Sequence, residues 1–455
     1  MTDQEYVNSL IAKGRKAIEG VAAYTQEQAD AMVKAIGKAV YDNAELISEE
    51  AAAETGMGTK EDKIVKHTDC ISMNWGYLRG KPSVGVLEVD KPNNLVVMAK
   101  PMGVICCATP STNPTTTAVF DAMICLKGLN AVIIAPHPRA QHCSMHCVQL
   151  MRDALAKLGA PVDLVQCLEN PTIAMSGILM GSADATIAVG SAGMVRAAYS
   201  HGKPAFGVGQ GNVQCIMDRD YPDYETAVAY VLGNRAFDDG IPCTGEQTLY
   251  IPKEKEEEIL AICSETGAYV LEDEDEINIL RESFFDANGI NRDIVGQSPK
   301  NACAAVGVEI PECSVLMVPL RHGTGKSEIL CREILFPIIR FVTYDRFEDA
   351  VAMAKANLLL EGAGHSSSIW SKNQDHINYM ALQLPVARIM VEQGNGDAGG
   401  NTWFNGLPPT LAIGCGTWGG TSISENLTYY HLLNKTKVSY TIPDAHVPSE
   451  EELWG

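Results

Sequence analysis

Positive charge is scarce in this sequence. Its 455 residues carry 35 lysines and arginines against 56 acids, a net charge of −21. So acidic a chain is a poor partner for nucleic acid or an anionic membrane, although a local site can still reverse the sign for a small anion. Long apolar runs are missing as well; none reaches the roughly 20 residues that cross a bilayer. Met1–Ala12 lacks the basic start and apolar core of a secretory signal. There is no internal repeat and no low-complexity linker. A soluble, cytoplasmic chain of two or three domains is expected. Cysteine, by contrast, is plentiful. The fourteen cysteines, without a signal for export, are expected to be reduced thiols.

One of them stands apart. Phe237–Gln247 reads Phe-Asp-Asp-Gly-Ile-Pro-Cys-Thr-Gly-Glu-Gln. Pro242 biases the backbone before Cys243 toward an extended or turning path. Gly240 and Gly245 let the chain bend tightly and let other atoms approach. Such a stretch suits a thiolate held at the mouth of a pocket. Buried cysteines are ordinarily inert, and the stretch alone leaves that reading open.

Thr25-x-x-Gln28 is a capping box, and Met32, Val33, Ile36 and Val40 follow at helical spacing. Alternation from Ser83 to Lys100, broken at Pro92-Asn93-Asn94, predicts a projecting hairpin. From residue 101 short apolar runs alternate with helical stretches. Strands are predicted at Val104–Ala108, Ala131–Ala135, Asp163–Gln166, Ala185–Val189 and Pro204–Val208, and helices at Thr115–Leu126, Ala140–Leu158 and Ala192–His201. This is the pattern of a buried parallel sheet with crossover helices. Ligands in such sheets bind beyond the carboxyl ends of the strands. The segments there, Thr109–Pro114, Pro136–Arg139, Gly190–Gly193 and Gly209–Asn212, are rich in Gly, Pro, Ser and Thr. A second α/β block runs from about Val213 to Thr410, with an acidic, solvated run at Glu272–Glu276 and an amphipathic segment around Phe347–Ala354. The tail is glycine-rich, then extended at Lys437–Ile442.

Three patterns mislead. Gly414-Cys-Gly-Thr-Trp-Gly419 matches a dinucleotide fingerprint in letters, but follows no clear strand and opens no clear helix. Gly323-Thr-Gly-Lys-Ser327 resembles the end of a phosphate loop, with Leu320 where a glycine is required. His142, Cys143, His146 and Cys147 have one-turn spacing, without the second ligand pair a metal site needs. No metal is expected.

Pro110-Ser-Thr-Asn-Pro114, Ala135-Pro-His-Pro-Arg139, Gly190-Ser-Ala-Gly193, Gly207-Val-Gly-Gln-Gly-Asn212 and Cys243 stand in an order and spacing that resemble the aldehyde dehydrogenase superfamily. Gly414–Gly420, Ser422–Asn426 and the closing Val447–Gly455 are similar to its coenzyme A-acylating branch. That branch includes acylating succinate-semialdehyde and sulfoacetaldehyde dehydrogenases and the aldehyde dehydrogenase half of bifunctional aldehyde–alcohol dehydrogenases. The resemblance covers essentially the whole chain.

It implies an α/β fold with a Rossmann-type cofactor domain (1–82 and 100–212, rejoined by 413–430), an α/β catalytic domain (213–412), and an oligomerisation arm and tail (83–99 and 431–455). A homodimer or homotetramer is expected. Cys243 matches the nucleophile and Asn113 the oxyanion donor. Thr109, Pro110, Ser111, Thr112, His137, Pro138, Arg139, Gly190, Ser191, Gly193, Gly209, Glu333 and Leu335 match positions around the cofactor, NAD or NADP. Coenzyme A is the implied co-substrate. Hydrolytic members carry a glutamate to activate water; the matching position here is Val208, which takes no proton. The implied reaction joins a short aldehyde to coenzyme A, or the reverse. The expected substrate is a small anionic aldehyde such as succinate semialdehyde or sulfoacetaldehyde. Candidate contacts are Thr112, Thr115, Thr244, Arg388 and the backbone of 394–400. Acetaldehyde or propanal is the alternative. A hydrolytic enzyme, or a non-catalytic protein on the same fold, is more distant.

Overall fold

The computed structural model describes residues 1–455 except Asn288 and Asn401, and gives only the backbone of Asp397 and Ala398. Four helices come first: α1 (Asp3–Val21), α2 (Gln26–Asp42), α3 (Ala44–Thr55) and α4 (Lys60–Leu78). The capping box at Thr25 forms in both directions, and Met32, Val33, Ile36 and Val40 are all buried. Among the described residues no helix is long and apolar enough to cross a membrane.

The chain then makes a hairpin, β1 (Val86–Asp90) and β2 (Leu95–Pro101). Its turn closes with Asp90 opposite Leu95. The third strand of this small sheet is Leu433–Ser439, antiparallel to β2 from Pro101 to Leu95. It lies earlier than the predicted 437–442. Leu433 is buried and anchors the register, whereas Tyr440–Ile442 run off the end of β2.

A five-stranded parallel sheet follows. It is built from β3 (Val104–Ala108), β4 (Ala131–Ala135), β5 (Val165–Cys167), β6 (Ala185–Val189) and β7 (Ala205–Val208), in the order β5-β4-β3-β6-β7. The intervening helices are α5 (Pro114–Lys127), α6 (Gln141–Lys157), α7 (Ile173–Ser182) and α8 (Ala192–Ser200). β3, β4 and β6 match the predicted bounds. β5 starts later because Val162–Leu164 closes a 3-10 turn. The sheet winds outward from β3 in both directions, so right-handed crossovers put α5 and α6 on one face and α8 on the other. The switch point falls between β3 and β6, which opens a crevice between the loops after them.

Helix α5 is buried along its whole length. It carries Asp121, fully buried, with no N–H or hydroxyl partner for its carboxyl oxygens among the described residues. Burial pushes this acid up to about 8, and thiols are its neighbours, Cys107 above all.

The second large sheet has seven parallel strands. In order these are Ala268–Val270, Val315–Pro319, Ile338–Tyr344, Glu246–Pro252, Val213–Met217, Ser367–Trp370 and Ile389–Val391. The acidic run opens the helix Glu274–Ser283, where Asp273 caps and the acids meet the positive helix end. The two sheets are joined head to tail. Gly209–Asn212 leaves the carboxyl end of β7 and enters the amino end of Val213–Met217. Gly414 returns to pair with Val208.

Candidate active site

The head-to-tail joint brings two rows of loops together. The carboxyl ends of the five-stranded sheet supply Thr109–Asn113, His137–Arg139, Gly190–Gly193 and Gly209–Asn212. The amino ends of the seven-stranded sheet supply Cys243, three residues before Glu246, and His365, two before Ser367. The parallel register fixes this. Gln214 lies opposite both Ser367 and Thr248, so the residues just before those strands share one edge.

Cys243 is delivered by a tight turn. Asp238 and Asp239 both adopt left-handed backbone, φ +52° and +48°. Such residues need support, and Asp238 has it. Its buried carboxylate accepts from Lys63 Nζ at 3.1 Å, from the Thr59 N–H at 3.0 Å and from Lys66. Helix α4 therefore clamps the turn that carries the thiol. Lys66 Nζ also donates to Asn113 Oδ1 at 2.5 Å, so the amide oxygen of Asn113 is taken and its NH2 is turned to the other side. Nearby, the Thr115 hydroxyl meets buried His67 Nε2 at 2.9 Å.

The sulfur of Cys243 lies 3.4 Å from His365 Nε2. Cys243 is half-buried as a residue, and the protein around its thiol pushes it up to about 12, with Glu333 and Cys415 adding to the effect of burial. Burial, then Arg388, pushes His365 down to about 3, so the imidazole is neutral. It is reached through Gly364, φ +84°, where a Cβ would fall 1.8 Å from the Cys415 carbonyl oxygen; only glycine fits. Glu333 Oε1 accepts from the Gly211 N–H at 2.8 Å. Burial, then Glu361, pushes Glu333 up to about 8.

The remaining expected residues divide. Ser191 caps α8, accepting from the Met194 N–H, and Gly190, Ser191 and Gly193 lie at its open end. His137 Nδ1 accepts from the Arg139 N–H at 3.1 Å, and Pro138 and Arg139 are exposed. Thr109 and Pro110 are buried at the end of β3, while Ser111 and Thr112 are half-buried beyond it. Gly209 packs on Cys415. Leu335 packs with Met57, Ile241 and Val295.

Three substrate candidates need correction. Thr115 is buried and committed to His67. Thr244 Oγ1 donates to the Gly396 carbonyl at 2.8 Å. Arg388 is buried, and its fork donates to the carbonyls of His365, Gly414 and Ser424 at 2.9, 2.6 and 3.3 Å. A guanidinium so placed ties three loops together and has no open face for a substrate anion.

Sequence reading missed His365, Lys66, Ser366 and Asn395. Gly362-Ala-Gly-His365 was the available signal: two glycines before a histidine and a run of serines. Nothing in sequence places it 122 residues back, beside Cys243.

A parallel sheet whose switch-point loops meet a thiol–imidazole pair is the plan of a thiol-dependent oxidoreductase. Residues 1–275 match the aldehyde dehydrogenase family. The chain is 43% identical to a succinate-semialdehyde dehydrogenase (acetylating) of Clostridium kluyveri, over 100% of both chains. It is 35% identical to a sulfoacetaldehyde dehydrogenase of Acholeplasma sp, covering 98% of this chain and 93% of that one. An acetylating aldehyde dehydrogenase from Geobacillus thermoglucosidasius superposes with a TM-score of 0.93 at 30% identity, covering 98% of each chain. The chain belongs to the aldehyde dehydrogenase family, in its coenzyme A-acylating branch, and has that α/β fold.

Proposed function

We propose that Cys243 is the nucleophile through which this acylating enzyme converts a short aldehyde into its coenzyme A thioester, and runs the reverse reduction. The observation that carries this is the Cys243–His365 contact at the joint of the two sheets. The thiolate adds to the aldehyde carbon and leaves a tetrahedral oxyanion. The Asn113 NH2, whose oxygen is held by Lys66 and one of whose hydrogens reaches Thr112 Oγ1 at 3.4 Å, and the Cys243 backbone N–H are the donors for that charge. One such donor is typically worth about 3 kcal/mol.

The five-stranded edge fits a nicotinamide dinucleotide. The N–H groups opening α8 suit a pyrophosphate, and the buried Thr109 hydroxyl has no partner among the described residues. When bound, that cofactor, NAD or NADP, accepts the hydride. Ser111, Thr112, His137, Gly190, Ser191 and Glu333 are the residues proposed to hold it, within a cofactor body of 1–82, 100–212 and 413–430. The catalytic body is 213–412.

Acyl transfer follows from what is missing. Val208 is a buried valine at the end of β7, so no carboxylate there activates water. Coenzyme A carries a thiol acidic enough to attack the Cys243 thioester without that base. The exposed hairpin and the strand Leu433–Ser439 have open edges suited to a second copy, in a homodimer or homotetramer.

The substrate proposed is a small anionic aldehyde of the succinate-semialdehyde or sulfoacetaldehyde class. Its support is the 43% and 35% identity to enzymes so named. With Arg388 committed elsewhere, backbone N–H groups of the 394–400 loop and the Thr112 hydroxyl are the donors proposed for the anion. Reduced cofactor should accumulate over many turnovers only when coenzyme A is present, and stop after about one turnover per site without it. Steady production of free acid from aldehyde alone would overturn the acyl-transfer reading.

A further inference from the structure

The two ring nitrogens of His365 have different neighbours. Nε2 faces Cys243 Sγ, and Nδ1 lies 2.8 Å from Ser366 Oγ. Which nitrogen carries the hydrogen decides what the ring offers the sulfur.

Ser366 settles the question. Asn395 Nδ2 donates one hydrogen to the Thr244 carbonyl at 2.6 Å and the other to Ser366 Oγ at 3.0 Å. The carbonyl contact fixes the orientation of the amide, because two acceptor oxygens would not sit so close. Ser366 Oγ is thereby an acceptor, and its own hydrogen needs a place to go. Ser366 is fully buried, where an unpaired hydroxyl carries the whole cost of its desolvation. The acceptor at hand is His365 Nδ1. We infer that Asn395 and Ser366 hold His365 in the tautomer with its hydrogen on Nε2, so that the ring donates a hydrogen bond to the Cys243 sulfur and does not take its proton.

This rests on Cys243 being the nucleophile. A neutral ring cannot carry both hydrogens, and burial keeps His365 neutral. A donor suits a sulfur that gains negative charge, on attack and again on departure. Coenzyme A attacks as its thiolate, the thiol proton having gone to solvent; once that sulfur has bonded to the acyl carbon, the oxyanion pair re-forms the carbonyl and the Cys243 S–C bond breaks. Its electron pair stays on Sγ, where Nε2–H meets it. Ser366 and Asn395 are positioning residues that act through His365.

The test is alkylation of Cys243 by iodoacetamide in the full chain. The rate at that residue is followed by mass spectrometry between about pH 6 and 9, with no aldehyde, cofactor or coenzyme A present. Glutamine offers an N–H near the place of Nε2 but takes no proton. His365→Gln should therefore stay close to the unaltered rate. His365→Ala should fall about tenfold at each pH, the effect of one unit in the thiol pKa. Ser366→Ala should slow alkylation and Ser366→Thr should restore it, all four variants being checked for an unchanged thermal transition. Equal slowing by the Gln and Ala variants at 365 would overturn the donor role, as would Ser366→Ala alkylating at the unaltered rate. The assay involves no turnover, so it is separable from the reaction itself. A protein that makes no acyl thioester yet shows this alkylation pattern would refute the proposed function and keep the donor.

Discussion

A methyl group on Gly211 would lie 2.0 Å from the carbonyl oxygen of Cys243. The obstacle is backbone on both sides, and the Gly211 N–H is also held by Glu333. The segment between the two sheets thus lies directly on the peptide of the thiol.

Gly211→Ala should therefore displace Cys243. Overpacking of this kind costs about 1–3 kcal/mol, and a shift of roughly 1 Å at the reacting group costs about a hundredfold in rate. The variant should fold with a lowered Tm and lose about that much in kcat/KM. Gly177→Ala is the control, since a Cβ there meets nothing within 4 Å. Activity retained in Gly211→Ala would show that the 209–212 segment yields more easily than its contacts imply.

Arg388 gives a prediction about substrate choice. Its donors hold His365, Gly414 and Ser424 in place, and the compact ammonium of lysine does not reproduce that planar fork. Arg388→Lys should lower kcat/KM for succinate semialdehyde and for butanal by the same factor. An arginine that bound the substrate anion would instead shift that ratio by up to about 10⁴. Measuring both aldehydes on one preparation distinguishes the two.

The buried acids predict how stability depends on pH. Asp121 titrates at about 8 in the folded chain, against about 3.9 unfolded. Between those values the folded state holds the proton and the unfolded state does not, so stability falls as pH rises, by about 1.4 kcal/mol per unit. Glu246 at about 7 and Glu333 at about 8 have the same sign. Asp121→Asn should flatten the fall in Tm between about pH 5 and 8 without removing it. An unchanged slope would mean that Asp121 is already ionised in the folded chain.

Much of this architecture was legible in the chain. Continuous apolar runs such as Val104–Ala108 and Ala131–Ala135 identify strands covered on both faces, and their ends were read to the residue. The strand near the tail was misplaced because Leu433–Ser439 is exposed along most of its length and gives little apolar signal. The loops around Cys243 were readable from glycine and proline. The groups that set their geometry were not. Nothing in the sequence links Lys63 and Lys66 to Asp238; the fold buries them together. Arg388 is a candidate substrate contact in sequence, because sequence cannot reveal that its partners are backbone carbonyls. His365 needed parallel register across two strands to reach the sulfur.

The clamp on Asp238 also has a bearing on how the protein is made. Lys63 and Lys66 precede Asp238 by 175 and 172 residues. At roughly 5–20 residues per second, a ribosome adds that intervening length in about 10–35 s. Over that interval the two lysines wait without the carboxylate they hold in the finished fold. The turn that presents Cys243 is set only once both ends of this long separation have been made, so the N-terminal helices are synthesised before the charge that their lysines hold.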